Sequence, residues 1–129
     1  MPPRAQSTPP VQILVGTRVS LSVRSRQPIE ERARHLHTQT AMLTERLIAL
    51  GFVERFPAIS AGSPVVALVP PCEPHGLRSK LEQAGYAIAG GLGEMAESAV
   101  RIALLGELTE ADLDGFVDAV ARVLHDHRA

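Results

Sequence analysis

The sequence predicts an α+β fold in which a small, mostly antiparallel sheet has helices on one face and follows a long connecting helix. Two stretches of helical periodicity come first, and short β-type runs then alternate with helical ones in the order β-β-α-β-β-α. The 129 residues suffice for one ordinary domain. The β-type runs are too few for a doubly wound nucleotide-binding sheet, so we expect a small α+β domain.

The first part of the chain is predicted to be helical after a flexible start. Residues 1–10 are rich in Pro and Ser and read as a flexible N-terminal segment. Residues 11–23 have apolar residues close to helical spacing, and an amphipathic helix follows Pro28 and stops at Gly51. We assign residues 11–52 to a helical connecting segment. The apolar stripe of the second helix is predicted at Ile29, Ala33, Leu36, Met42 or Leu43, Leu47 and Leu50.

Residues 53–129 are predicted to form the α+β small domain. A short extended segment at 52–56 precedes a β-branched run at 63–70, which is typical of a buried strand. A compact helix then ends at Gly85, and strands are expected at 86–91 and 99–106. The final helix begins after Thr109, with Asp112 in capping-box spacing. Its apolar stripe comprises Leu113, Phe116, Val117, Val120, Val123 and Leu124.

Composition and charge argue against several classes of protein. The formal net charge of −1 and the lack of a basic run with aromatic residues argue against nucleic-acid binding. No apolar stretch approaches the ~20 residues of a membrane helix, and the first ten residues lack the apolar core of a signal peptide. A single cysteine excludes an internal disulfide. We therefore expect a cytoplasmic protein that binds neither nucleic acid nor membranes.

Most candidates for chemistry in the sequence have simpler explanations. Cys72 and His75 lie in a proline-rich loop with no orienting third group, so a nucleophile pair is disfavoured. The histidine pairs at 35/37 and 125/127 are two residues apart on helices and point in different directions, which does not suit a metal ion. The glycine-rich stretch 89–95 lies between two strands rather than before a helix, so we interpret it as a flexible turn.

Arg101 is the exception, because it interrupts an apolar strand. Strand alternation places its side chain opposite Val100 and Ile102. One interpretation is an edge position from which the guanidinium reaches water, and another is an ion pair with Glu94 or Glu97. A third is bidentate binding of a carboxylate or another oxyanion, which suits the geometry of a guanidinium.

The segment "IAGGLGEMAESAVRIALLGELTEADLDGFVDAVARVL" resembles the end of the class V aminotransferases of fold type I, which use pyridoxal phosphate (PLP). That family includes the alanine-glyoxylate, serine-glyoxylate and 2-aminoethylphosphonate transaminases. Its strand motif Arg-Ile-Gly-x-Met-Gly follows a Gly-Gly-Leu-Gly-like turn and precedes the last helix. Here the motif runs from Arg101 to Gly106, with Ala103 for glycine and Leu105 for methionine. The segment "STPPVQILVGTRVSL" and the long helix also resemble the family, so the likeness covers almost the whole chain.

The resemblance implies a role for two residues. Arg101 would bind the α-carboxylate of the amino donor or keto acceptor and so align the substrate with the cofactor. Thr8 would match the threonine that hydrogen-bonds the PLP phosphate, commonly from the neighbouring subunit of a dimer. A tyrosine that usually precedes this threonine by three residues is replaced by Ala5. This replacement weakens the case for cofactor contacts from this side.

The sequence lacks parts that transamination needs. Its one lysine, Lys80, lies in a surface pattern, and the aspartate and large domain of the family are absent. One hypothesis is therefore a split or truncated aminotransferase, inactive alone, whose site is completed by a PLP-binding large-domain chain in a homo- or hetero-oligomer. The alternative is a free-standing, non-catalytic module that binds small carboxylates or mediates oligomerisation. A third possibility is a remnant without function. An exposed apolar face on residues 11–23 would favour the partner hypothesis.

Overall fold

The computed structural model describes residues 10–57 and 63–128, with only the backbone of residues 127 and 128. The chain divides into two units, Met1–Arg32 and Ala33–Ala129. The first contains helix α1 and the start of helix α2, and the second contains the rest of α2 and the sheet. Thr8 lies outside the described residues.

Helix α1 spans Val11–Arg24 and confirms the helix predicted over 11–23. It has no buried residue. Its large apolar side chains are between 45% and 67% exposed. The first unit therefore contains a helix whose apolar side chains are exposed.

Helix α2 spans Ile29–Ala49. The turn that follows it contains Gly51, whose φ of 97° suits glycine. Its predicted apolar stripe is only partly correct. Ile29, Ala33 and Met42 are exposed, whereas Leu43 and Leu47 are buried. The other buried positions of the helix are polar: Gln39, Thr40 and Thr44.

Hydrogen bonds explain the burial of two of these three polar residues, whereas the buried Oγ1 of Thr44 has no hydrogen-bond partner within the described residues. Gln39 Nε2 donates to the carbonyl of Leu108 over 2.8 Å, and Thr40 Oγ1 donates to that of Ser63 over 3.3 Å. These carbonyls belong to connecting segments, which need partners when they are covered. A pattern search for aliphatic residues misses such positions because their burial depends on distant backbone groups.

Four strands form one antiparallel sheet in the order β1-β2-β4-β3. Strand β4 therefore lies between β2 and β3. In β2 and β4 the register pairs Val66 with Ile102 and Ala67 with Arg101. The strands are β1 (Val53–Glu54), β2 (Val65–Val69), β3 (Ala89–Gly90) and β4 (Val100–Ala103).

The helices of the second unit pack on one face of the sheet, as predicted. That face carries Val66 and Leu68 of β2 with Val100 and Ile102 of β4, all of them buried. The alternate residues of both strands are partly or fully exposed, so β2 is buried on one face rather than two. Helix α3 (Pro74–Gln83) contributes Leu77 and Leu81 to this core.

Helix α4 (Glu110–Arg128) supplies the rest of the core. All six residues of its predicted apolar stripe are buried. The predicted capping box is present, since the backbone N–H of Thr109 donates to Asp112 Oδ2 over 2.8 Å and the N–H of Asp112 donates to Thr109 Oγ1 over 3.2 Å. The observed α+β architecture is the one that the sequence predicted.

Candidate functional site

Arg101 lies in β4, one of the two inner strands of the sheet, on the face opposite the core. Its two cross-strand neighbours are both alanines, Ala67 of β2 and Ala89 of β3. The next residue on this face of β4, Ala103, is exposed. Methyl groups therefore flank the half-buried Arg101 side chain on three sides.

The structure bears on two of the interpretations of Arg101. The edge interpretation is wrong, because β4 is hydrogen-bonded on both sides. An ion pair with Glu94 or Glu97 is also not formed. Within residues 10–57 and 63–126, the ion pairs are Arg46–Asp114 and a 3.9 Å contact of His125 with Asp126. Arg101 is thus a cation without a carboxylate partner in the described part of the chain.

The guanidinium of Arg101 is oriented by a backbone carbonyl of strand β3. Its Nε donates to the carbonyl oxygen of Gly90 over 2.9 Å. The N–H of Gly91 bonds to the carbonyl of Ala99, which makes Gly91–Ala99 a hydrogen-bonded pair. In an antiparallel ladder, hydrogen-bonded pairs alternate with non-hydrogen-bonded pairs, so Gly90 and Val100 form a non-hydrogen-bonded pair. The carbonyl of Gly90 therefore points away from β4, towards the outer edge of β3. Arg101 therefore extends across β3 and uses one of its five N–H donors there.

The turn after β3 is tightly packed around Gly91. A Cβ on Gly91 would lie 1.9 Å from the carbonyl oxygen of Met95. That carbonyl belongs to a short 3₁₀ helix at Gly93–Met95. The glycine-rich stretch is thus a close backbone crossing, and glycine is required at position 91 because no side chain fits.

Arg78 is a second cation at the same edge, and the sequence analysis did not identify it. Its Nε donates to the carbonyl of Ile88 over 3.3 Å. Its Nη1 lies 3.0 Å from the point where a Cβ of Gly90 would stand. Arg78 follows the buried Leu77 on α3 and so borders the apolar stripe of that helix. The position beside the apolar stripe is the feature that the sequence offers. The pairing of β3 with β4 is needed to show that Arg78 reaches the carbonyl of Ile88.

The described residues do not provide an attachment point for PLP beside Arg101. A covalent site needs a lysine amine. Lys80 lies in the last turn of α3, a helix that packs on the core face, whereas Arg101 projects from the opposite face. Thr8, the predicted phosphate contact, is outside the described residues. Within the described residues, Arg101 and Lys80 therefore lie on opposite faces of the sheet.

The environment of Cys72 is unfavourable for a nucleophile. Partial burial raises the pKa of the Cys72 thiol, and the neighbouring Glu73 carboxylate raises it further, although Lys80 acts in the opposite sense. Glu73 accepts hydrogen bonds from the N–H groups of His75 and Gly76 and thereby caps α3. A reactive cysteine needs a lowered pKa, so this loop has the features of a helix start.

An open pocket of about 360 Å³ is lined by the end of α2, the two residues that follow it and residues of α4; the lining is aliphatic or glycine apart from His125. Over residues 10–57 and 63–126, no three His, Cys, Asp or Glu side chains come together as a metal ion requires. None of the described helices combines the length with the apolar character that a bilayer-spanning segment needs.

Comparison with solved structures shows the same fold in aminotransferases. Alanine-glyoxylate aminotransferase from Nostoc sp. superposes with a TM-score of 0.84 at 19% identity, over 94% of this chain and 33% of that one. Ureidoglycine-glyoxylate aminotransferase from Bacillus subtilis gives a TM-score of 0.82 at 20% identity, over 98% and 33%. A NifS-like protein gives 0.65 at 21% identity, over 75% and 29%. No protein-family model and no curated protein matches the sequence.

These similarities confirm the fold that the sequence motifs implied. They extend over nearly all of this chain but about a third of each aminotransferase. At about one-fifth identity they show the fold alone. The chain therefore has the fold of one portion of a class V aminotransferase.

Proposed function

We propose that this chain is the C-terminal portion of a PLP-dependent class V aminotransferase and contributes Arg101 to a site that a large-domain chain completes. Arg101 binds the carboxylate of a small amino acid or keto acid and holds the reacting carbon against the cofactor. The cofactor, when bound by the large-domain chain, supplies the electron sink for the transfer of the amino group. The isolated chain is inactive in this proposal because it lacks the required lysine beside Arg101.

The observation that carries the proposal is the environment of the Arg101 guanidinium. Its Nε is fixed by the carbonyl of Gly90, and no carboxylate of the described residues pairs with it. Four N–H donors remain for a ligand. Alanines at 67 and 89 leave space above the strands on either side. A fixed guanidinium in an apolar, uncrowded surrounding suits bidentate recognition of a carboxylate.

Helix α1 supports the part of the proposal that concerns a partner. Its apolar side chains, among them Leu14, Val15 and Val19, are exposed. Contiguous apolar surface of this kind marks an interaction site in a soluble protein. The same observation favours the partner hypothesis over a monomeric carboxylate-binding module, which would leave this helix in water.

Co-expression with the large-domain protein encoded nearest to this chain tests the proposal. We expect a stable complex that shows the visible absorbance of bound PLP and transfers amino groups between an amino acid and a keto acid. Absence of both a complex and the absorbance would overturn the partner model. A monodisperse chain whose melting temperature rises with keto acids, and which binds no partner, would establish the free-standing carboxylate-binding module instead.

Substitution of Arg101 tests its role within that complex. Arg101→Gln removes charge-assisted hydrogen bonds to the substrate carboxylate, so kcat/KM should fall by about 10- to 100-fold. The matched control is Arg122→Gln, which removes a charge from the exposed side of α4. Equal kcat/KM values for the Arg101 variant and the unmodified complex would rule out carboxylate binding by this residue.

A further inference from the structure

Two guanidinium groups are held at neighbouring carbonyls on the outer edge of β3. Arg101 reaches the carbonyl of Gly90 from the face opposite the core, and Arg78 reaches that of Ile88 from helix α3. Ile88 and Gly90 are two residues apart, so both carbonyls point away from β4 and lie about 7 Å from each other. The two side chains thus approach one short stretch of strand edge from opposite faces.

Neither guanidinium is neutralised by the described part of the chain. Arg78 and Arg101 take part in none of the ion pairs within residues 10–57 and 63–126. Both are half-buried, and each uses its Nε for a carbonyl. Each therefore has four N–H donors left for another acceptor. Two like charges held at neighbouring carbonyls repel each other, and a ligand with two negative charges would relieve that repulsion.

Arg78 approaches Gly90 closely. A Cβ at this position would lie 3.0 Å from Nη1 of Arg78, so the guanidinium would have to move by a few tenths of an ångström. The same residue supplies the carbonyl that orients Arg101. Gly90 is thus the residue that both cations approach at this edge.

We propose that Arg78 and Arg101 form one site for a small dicarboxylic acid, in which Arg101 binds one carboxylate and Arg78 the other. The inference rests on the proposed function and specifies its substrate class: an amino or keto acid with a second acidic group. Two forked guanidinium groups held at carbonyls about 7 Å apart suit two planar carboxylates joined by a short carbon chain. A monocarboxylate uses only Arg101.

Titration of the isolated chain, followed through the N–H signals of the arginine Nε atoms by NMR, tests the site directly. Succinate should shift the signals of Arg78 and Arg101 with one common Kd, about 10-fold lower than the Kd for propionate. Propionate should shift only Arg101. Inorganic phosphate serves as a third probe, and a lower Kd for phosphate than for succinate would overturn the assignment to a dicarboxylate.

Variants separate this inference from the proposed function. Arg78→Gln should remove the preference for succinate while propionate binding to Arg101 is retained. Gly90→Ala keeps both charges and moves the end of the Arg78 side chain by a few tenths of an ångström, so it should reduce the preference without removing it. The second variant serves where loss of Arg78 affects folding. Arg122→Gln is the control and should change neither Kd.

Two failures have different meanings. If succinate leaves the Arg78 signal unmoved while propionate still shifts Arg101, the dicarboxylate site is refuted and the role proposed for Arg101 stands. If no carboxylate shifts Arg101, both the dicarboxylate site and the carboxylate role of Arg101 in the proposed function are refuted. The catalytic complex and its PLP absorbance remain a separate test of the partner model.

Discussion

Gly91 controls the position of the carbonyl that orients Arg101. Its N–H donates to the carbonyl of Ala99 over 2.8 Å, which continues the pairing of β3 with β4 beyond Gly90. The backbone of the 3₁₀ helix crosses directly over it, with the Met95 carbonyl where a side chain would begin. The close crossing keeps β3 in register, and the register directs the Gly90 carbonyl to the sheet edge.

We expect Gly91→Ala to destabilise the fold because the methyl group meets backbone, which cannot rotate away. The clash requires the turn or β3 to shift, at a cost of about 1–3 kcal/mol in the free energy of unfolding. Urea denaturation followed by circular dichroism measures this change. Gly16→Ala is the control, since a Cβ there meets nothing within 4 Å. Equal stabilities of the Gly91 and Gly16 variants would show that the crossing is not a tight constraint.

The sequence determined the sheet face on which Arg101 lies but not what surrounds it. Alternation with Val100 and Ile102 suffices to place the side chain opposite the core. Strand order is a long-range property, so the sequence left open whether β4 lies at an edge. Arg78 was missed for the same reason: its target, the Ile88 carbonyl, faces outward only because of how β3 pairs with β4.

Among the elements, α4 and α2 show what a helical pattern can and cannot predict. Helix α4 buries its apolar stripe against the sheet, and all six residues predicted for that stripe are buried. Helix α2 buries Gln39 and Thr40 through hydrogen bonds to connecting segments. Hydrophobic periodicity predicts the first kind of contact because transfer from water drives it, and it misses the second because the acceptors are distant in sequence.

The capping box of α4 predicts a dependence of stability on pH. Hydrogen bonds from the side chain and then the backbone N–H of Thr109 lower the pKa of Asp112. A carboxyl group whose pKa is lower in the folded state than in the unfolded state stabilises the fold. This contribution is fully present above the pKa of the unfolded state, about 3.9, and is lost as the pH falls through the pKa of the folded state. The free energy of unfolding should therefore decrease more between about pH 5 and pH 2 in the unmodified chain than in Asp112→Asn.

The control for this dependence is Asp118→Asn, which removes an exposed carboxylate from the middle of the same helix. This variant should keep the acid-induced loss that belongs to the capping box. Urea denaturation at a series of pH values gives the comparison. Parallel pH profiles for the unmodified chain and the Asp112 variant would contradict the stabilising role of the cap.

On the scale of the whole molecule, the second unit has a complete core and the first does not. The buried cluster joins α2, α3, α4 and one face of the sheet, all within Ala33–Ala129. Helix α1 contributes no buried residue. The order of elements and the α+β class could be predicted because each element has a clear local period. The exposure of the apolar side chains of α1 could not be predicted, since the spacing of apolar residues in a helix does not show whether another element covers them.

The exposed helix α1 gives a test of partner binding that is independent of Arg101. Val15→Asp combined with Val19→Asp places two carboxylates on one side of the helix, four residues apart, where burial against a partner would leave them unpaired. The affinity for the large-domain chain should fall by about 100-fold or more. Thr17→Asp with Ser20→Asp adds the same charge at polar positions of α1 and is the control. Calorimetric titration measures both affinities, and the melting temperature of each variant should stay unchanged because α1 buries no residue. Equal affinities of the two double variants would indicate that the partner does not contact the Val15 and Val19 side of α1.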